Sequence, residues 1–395
     1  MPPFCQIILI RFRLLILKPG IYMISIRRIW RNIMNQSSDM NNFYFPFEGG
    51  RHQGTIIELP YRADTWRNKA KEARPVFLEL VKIISKYEMV YLLCDPQIDE
   101  EELKPFRLAN VEILRIPYND SWARDNTIIF LSNHKKLKAL DFGFNAWGGH
   151  VDGLYQNWSD DDKLGQKLID YFKCDSISAK DFILEGGSVH SDGEGTILTT
   201  EACLLSKGRN SNLTKEEIEK KLLSYFNAKK VIWLPHGIYN DETNEHVDNV
   251  ACFLEPGVVA LASSDDLNDI QSKYYKEALD VLNHERDAKG RRLKIVNINV
   301  PSTLYLTKEE ARGLQITDAI IRPENNRLAG SYINFYMSDK FVIVPQFGVP
   351  EDQNALNILK EYYPNKDVYS LMSREILLAG GNIHCVTMQI PGKEE

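Results

Sequence analysis

The chain predicts an α/β fold in one domain, built as a closed ring of repeated units. Three observations predict it. A single pattern of helix, strand, polar loop and strand pair recurs five times. The polar loops are where the reactive side chains collect. No Gly/Ser-rich or Pro-rich linker separates the repeats, so one domain is expected from 43 to 393. Repetition at such a period also suits an open solenoid. A solenoid would string the loops along a groove, whereas a ring gathers them at one place, and shared chemistry requires the second.

Apolar residues at three-to-four spacing predict helices near 70–87, 160–172, 214–226, 268–284 and 351–362. The third has a start signal, with Asn212 or Thr214 as N-cap and Glu216 and Glu217 in its first turn. Strand pairs follow the polar loops: 127–132 with 137–142, 188–190 with 196–200, 250–254 with 258–262, and 335–337 with 341–345. A last strand, 386–391, follows Cys385. The loop anchors Asp125, Glu185, His246, Asn334 and Cys385 are separated by 60, 61, 88 and 51 residues. The long fourth interval holds 301–330, rich in turn formers and charge, and is expected to be a lid or insertion.

The 395 residues are 44% hydrophobic and 26% charged, with a net charge of −6, as in ordinary folded proteins. Residues 1–42 run against that balance, with Arg11, Arg13, Lys18, Arg27, Arg28 and Arg31 against the one acid Asp39. The rest is therefore more acidic than the whole, which argues against nucleic acid and favours cationic ligands. The apolar run 7–17 is broken by Arg11 and Arg13, is too short to span a bilayer and lacks the layout of a secretory signal. An amphipathic anchor or transit segment is the less favoured reading of 1–42; a non-domain extension, or an overlong start ahead of Met34 or Met40, is preferred. The six cysteines have no C-x-x-C spacing, so reduced thiols in a cytoplasmic protein are expected.

The chemistry resides in four stretches: Trp122-Ala-Arg-Asp125, Glu185-Gly-Gly187, His246-Val-Asp-Asn249 and Gly380-Gly-Asn-Ile-His-Cys385. They combine a soft nucleophile, a proton carrier and several carboxylates, a set suited to attack on the carbon of a guanidinium. Asp125 and Asp248 could grip its N–H groups and polarise it. Cys385 would attack, His246 would move protons, and Glu185 would orient His246. Each residue also has a plain reading. A lone cysteine is more often packing, Glu185-Gly-Gly could be only a turn, and Trp122 could be core, though an indole face suits a cation. Strand alternation would place His246 and Asp248 on one face, and His384 on the face opposite Cys385 in a structural role. His246-x-Asp248 raises a metal reading, but no further ligands cluster with it and none is expected. Gly148-Gly149 and 193–195 lack both nucleotide-binding glycine patterns, so no cofactor is expected.

Tyr118-Asn-Asp-Ser-Trp-Ala-Arg-Asp125, Phe144-Asn-Ala-Trp-Gly-Gly149, Leu184-Glu-Gly-Gly-Ser188, Asp241-Glu-Thr-Asn-Glu-His-Val-Asp-Asn249 and Gly380-Gly-Asn-Ile-His-Cys385 resemble agmatine deiminases. These belong with the bacterial peptidylarginine deiminases among the guanidino-modifying enzymes. The resemblance runs from Phe43 to Pro391. It implies a five-bladed α/β propeller, the pentein fold, of ββαβ-type units. It implies that Cys385, His246 and Glu185 are catalytic and that Asp125 and Asp248 hold the guanidinium, with Glu242 facing the substrate from the His246 loop; Trp122 joins the expected substrate-binding set through its indole face. The implied reaction turns agmatine into N-carbamoylputrescine and ammonia, in polyamine metabolism. Rival readings are a deiminase of free or peptidyl arginine, an amidinotransferase, and a silent ligand-binding protein. The partner expected is a small cationic guanidino substrate, with no nucleic acid and no membrane; a homo-oligomer is compatible. Three departures stand out: Asn126-Thr127-Ile128 where a Gly-Pro pair is usual, Glu58-Leu-Pro-Tyr-Arg62 in place of a Trp-Pro segment, and Met388-Gln389 where Gln-Gln is common.

The composition of the first residues carries a prediction. A chain beginning at Met40 should keep its thermal midpoint and activity. A large drop in the midpoint, by scanning calorimetry, would show that residues 1–39 pack on the domain.

Overall fold

The computed structural model describes residues 42–392, so all but the last residue of the expected extension lies outside it. Residues from Tyr44 onward form one compact unit. Four sheets repeat one design: an antiparallel strand pair, a helix, then a third strand parallel to the second. The first sheet takes Ile129–Ser132, Leu137–Gly143 and Asp175–Ile183. The second takes His190–Ser191, Thr196–Thr200 and Lys230–Leu234, the third Ala251–Glu255, Val258–Ser263 and Lys294–Asn299, and the fourth Tyr336–Met337, Phe341–Gln346 and Asp367–Met372. The fifth is shared between the chain's ends. Thr387–Pro391 pairs antiparallel with His52–Glu58, which runs parallel to Met89–Cys94, and that strand runs parallel to Val111–Arg115.

The helices joining second to third strands are Ala73–Ile84, Leu164–Phe172, Lys215–Tyr225, Ile270–His284 and Glu351–Tyr362, at the five places the periodicity predicts. Thr214 is the N-cap of Lys215–Tyr225, closing a capping box with Glu217. Burial falls off across each sheet. Second strands such as Val258–Ser263 and Thr196–Thr200 are buried throughout, because both faces are covered. Third strands such as Asp367–Met372 and Lys294–Asn299 are largely open to solvent.

The polar loop before each first strand touches the next in a closed cycle. Gly187 N–H donates to Asp125 Oδ1 at 2.9 Å, His246 Nε2 lies 3.6 Å from Glu185 Oε2, and Asn334 Nδ2 donates to the Asp248 carbonyl at 3.5 Å. Asn334 Nδ2 also reaches Cys385 Sγ at 3.1 Å, and Arg124 N–H donates to the Cys385 carbonyl at 3.1 Å. Five loops in cyclic contact make a ring with five blades and rule out an open groove. The 301–330 segment is an insertion between third and fourth blades. It carries a short antiparallel pair, Leu304–Tyr305 with Arg327–Leu328, and the helix Lys308–Arg312. It reaches the first blade's loop through Ile320 N–H to the Leu154 carbonyl, at 2.8 Å.

Some boundaries differ from expectation. Gly186–Ser188 is a tight helical turn and the strand starts at His190. His246 is not on a strand either: it is the N-cap residue of the short helix Val247–Val250. Residues 383–386 form a turn, so alternation does not separate His384 from Cys385. In each case the loop folds tightly so that its polar groups turn inward before the strand begins.

Replacing Thr214 with alanine removes one side of the capping box. It should cost about 1 kcal/mol in denaturant unfolding without affecting the site. No measurable loss would show that the Lys215–Tyr225 helix is held by packing alone.

Candidate active site

The loop Asp241–Asn249 is organised by Asp241. Its carboxylate accepts from Thr243 N–H at 3.0 Å, His246 N–H at 3.2 Å and Asn249 Nδ2 at 2.9 Å. Asn244 and Glu245 adopt left-handed backbone at φ 64 and 68, and the Glu245 carbonyl is fixed by Thr200 Oγ1 at 2.7 Å. Such conformations persist where surrounding contacts over-determine them. The result is a fully buried His246 whose ring nitrogens have no hydrogen-bond partner among the described residues. Its Nε2 faces Glu185, and its Nδ1 lies 3.9 Å from Asp125 Oδ2.

Gly187 marks the centre. A Cβ there would lie 2.6 Å from His246 Nδ1, 2.9 Å from Asp248 Oδ2 and 3.0 Å from Asp125 Oδ1. Three charged groups from the loops of two blades therefore surround one point on the loop of another. The fifth blade brings Cys385, with Sγ 3.6 Å from Asp248 Oδ2. Gly381 lets the indole of Trp122 close on that turn: a Cβ there would lie 2.4 Å from Trp122 and 3.1 Å from Cys385 Cβ. Trp122 stacks on Trp66, donates Nε1–H to Asp120 at 3.0 Å, and meets Trp147 edge-on. Trp147 in turn donates Nε1–H to Asp125 Oδ2 at 2.9 Å.

Burial raises Asp125 to about 6, with Asp248 and Glu185 adding repulsion against the pull of His246. Burial would raise Glu185 too, but Arg209 overrides it, with help from His246, and holds it down at about 2. Arg209 Nε lies 3.1 Å from both oxygens of Glu185. Burial works against a charged His246, yet Asp125, with Cys203 and Glu185, raises it well above its usual range. Burial, then Asp248 and Asp125, pushes the Cys385 thiol well up. Burial would raise Asp248, but the bond from His384 and the charges of His384, His246 and Arg124 bring it below its usual range.

Among the described residues, two buried groups of side chains have ligand atoms close enough to share a cation: Glu185 with Cys203 and His246, and Glu48 with His190 and His384. Each glutamate is already paired to a guanidinium, Arg209 at 3.1 Å and Arg124 at 3.0 Å, which opposes a divalent ion at either place.

All seven predicted site residues lie at this centre or its edge. Asp125, Glu185, His246, Asp248, Cys385 and Trp122 come together as above. Glu242 sits at the rim and is not free: Arg322 Nε lies 2.9 Å from both its oxygens, and Arg322 Nη2 also donates to the Ala379 carbonyl at 3.1 Å. Arg322 comes from the 301–330 segment, whose sequence pointed only to a lid or insertion. Asn334 is missing from the predicted set. Its Nδ2 faces Cys385 Sγ, while its Oδ1 accepts from His384 N–H at 3.0 Å. The signal was there, since Asn334 is the fourth repeat anchor. Trp147 lies in the Phe144–Gly149 motif but is not singled out there, and Arg209 and Glu48 left no comparable signal.

A family model described as Porphyromonas-type peptidyl-arginine deiminase matches residues 44–391. A protein of Listeria monocytogenes serotype 4b, provisionally named agmatine deiminase 1, is 43% identical over 362 residues, covering 91% of this chain and 99% of its own. A Mycoplasma capricolum protein with a similar provisional name is 42% identical over 364 residues, covering 91% and 98%. Among solved structures, the agmatine deiminase of Enterococcus faecalis superposes with a TM-score of 0.87 at 36% identity, covering 90% of this chain and 97% of that one.

The space at Gly187 is open to test. Gly187→Ala would force a methyl group against His246, Asp248 and Asp125, and should lower kcat/KM on the order of 100-fold, with some loss of thermal midpoint from the overpacking. Normal kinetics would mean that the three groups do not work around that point.

Proposed function

The chain belongs to the Porphyromonas-type peptidyl-arginine deiminase family, and from that premise we propose that it is an agmatine deiminase, hydrolysing agmatine to N-carbamoylputrescine and ammonia. The observation that carries the reading is the polar centre at Gly187, faced by Asp125, Asp248 and His246. Beside it stands the Cys385 thiol, and Asp248 Oδ1 is buried without a partner.

The guanidinium lies between Asp125 and Asp248, against Trp122. Asp248 Oδ1 accepts one of its N–H groups. Those two carboxylates hold the Cys385 proton in place, and the arriving cation offsets them, so binding favours the thiolate and the thiol proton is released to solvent. Sulfur attacks the guanidinium carbon. Protonated His246 gives its proton to one NH2 group, which leaves as ammonia, and an amidino-thioether remains on Cys385. A water then attacks the same carbon while His246 takes a proton from it. As the adduct collapses, the C–S bond breaks and the remaining hydroxyl proton passes to the departing sulfur, which releases the ureido product and restores the Cys385 thiol. Glu185, kept ionised by Arg209, holds His246 charged until it gives its proton to the leaving group. The reaction suits the cytoplasm, where the five free cysteines among the described residues stay reduced. Glu242 receives the distal amine of agmatine, sharing its carboxylate with Arg322.

A second reading rests on Arg322. Its Nη1 is buried without a partner, as a donor to a substrate carboxylate would be, and favours free arginine. A panel of agmatine, arginine, peptides ending in arginine and agmatine with an acceptor amine separates the readings, with ammonia measured and the product identified. Agmatine should have the highest kcat/KM and yield only the ureido compound. Preference for arginine would move the assignment to the second reading, transfer to the amine would make it an amidinotransferase, and no ammonia from any guanidine would overturn both.

Asp125→Asn and Asp248→Asn keep shape and remove one charge each. A charge-assisted bond is worth about 1.5–3 kcal/mol, so each should weaken agmatine binding at least about tenfold. Near-normal KM and kcat in both would contradict the clamp.

A further inference from the structure

Asp248 has two unlike oxygens. Oδ1 is buried with no partner, while Oδ2 accepts from His384 Nδ1 at 2.8 Å. The other ring nitrogen of His384, Nε2, lies 2.8 Å from Glu48 Oε2. Glu48 Oε1 accepts from Arg124 Nη1 at 3.0 Å, and His190 Nε2 stands 3.5 Å from Glu48 Oε2. The backbone of His384 is fixed as well, its N–H by Asn334 Oδ1 and its carbonyl by Arg124 Nε. All these side chains are buried.

A neutral imidazole has one N–H donor. Here each ring nitrogen meets a carboxylate oxygen, so the ring donates from both and is an imidazolium. Asp125, the other half of the clamp, has no comparable partner. Its donors are the neutral Gly187 N–H and Trp147 Nε1–H, with His246 farther off at 3.9 Å. Burial accordingly leaves Asp125 at about 6, while Asp248 falls below its usual range.

We propose that His384 is a positioning residue for this reaction: bonded as an imidazolium between Glu48 and Asp248, it aims the free oxygen of Asp248 at the guanidinium and keeps that carboxylate ionised. The inference rests on the deiminase reading and adds to it a group that does not touch substrate. It also gives Glu48 and Arg124 a purpose. Glu48 sustains the charge on His384, and Arg124 holds Glu48 ionised against burial, with His384 and His190 assisting.

The pH dependence follows from the charges around this pair: Glu48, Arg124 and His190 on the His384 side, and His246, Asp125 and Cys385 on the Asp248 side. In the wild type, Asp125, raised by burial to about 6, should set the acid limb of kcat/KM. Without the imidazolium, buried Asp248 takes up a proton at higher pH and stops pairing with the cation. The acid limb should then move upward and steepen.

The test is the kcat/KM profile on agmatine, from about pH 5 to 9, for the wild type, His384→Gln and Glu48→Gln. His384→Gln should lose on the order of 100-fold at neutral pH and recover at least about tenfold as Asp248 ionises at higher pH. Glu48→Gln should shift the same way by less. An equal loss at every pH, with the limb unmoved, would overturn the proposal and leave His384 a packing residue. An activity-independent readout is the nitrogen chemical shift of the His384 ring in the wild type. Both nitrogens should be protonated at neutral pH, and a neutral ring would overturn the proposal even if the variants fail to fold. If the wild type turns over no guanidine, the functional reading fails, and the ring shifts still decide the charge on His384.

Discussion

The antiparallel pairing of the last strand with the first carries Cys385 into the ring. Ile57 stands opposite Thr387 in that register, so the turn holding the cysteine ends where the pairing begins. The same closure sets the Cys385 carbonyl against Arg124 N–H and completes the cycle of loop contacts. No blade holds a working set by itself. One supplies the thiol, another His246 and Asp248, another Glu185, another Asp125, and the fourth loop places Asn334 against the sulfur. Anything that loosened the closing strand would therefore take the thiol away from its acid partners.

Charge balance is the second constraint. Burying an ion costs several kcal/mol unless it is compensated. Glu185 has Arg209, Glu48 has Arg124 and His384, and Asp248 has His384. Asp125 is the least compensated, and the Cys385 thiol is held up by burial, Asp248 and Asp125 together. The site is thus arranged so that a planar cation supplies what the nucleophile lacks. That fit makes the thiol reactive chiefly with its substrate in place, and leaves Cys203 and Cys252 as packed thiols beside it.

Much of this was legible from the residues because the repeat registers twice, once as periodic helices and once as polar loops before strand pairs. Helix positions came from the apolar spacing, and Thr214 from its capping pattern. The ring came from the need to gather the loops, and the five contacts between them bear it out. Less legible were features that depend on distant partners. The alternation rule misplaced His384 because 383–386 is a turn and not a strand. Glu242 was expected to face the substrate, and nothing in the sequence marks Arg322, 80 residues later, as its partner. Two departures from the family pattern proved to be neighbours: Asn126 Nδ2 donates to Glu58 Oε2 at 3.1 Å. Each looked like an isolated substitution along the chain, and together they make one buried contact beneath the Trp122 loop.

The central claim is that the carbon of the guanidinium becomes covalently attached to Cys385. Rapid acid quenching of the enzyme during turnover of agmatine, followed by peptide mass spectrometry, tests it most directly. The account predicts an amidino adduct on the peptide containing Cys385, which disappears when substrate is exhausted. An adduct on Cys203 or Cys252 with Cys385 unmodified, in an enzyme turning over normally, would contradict it.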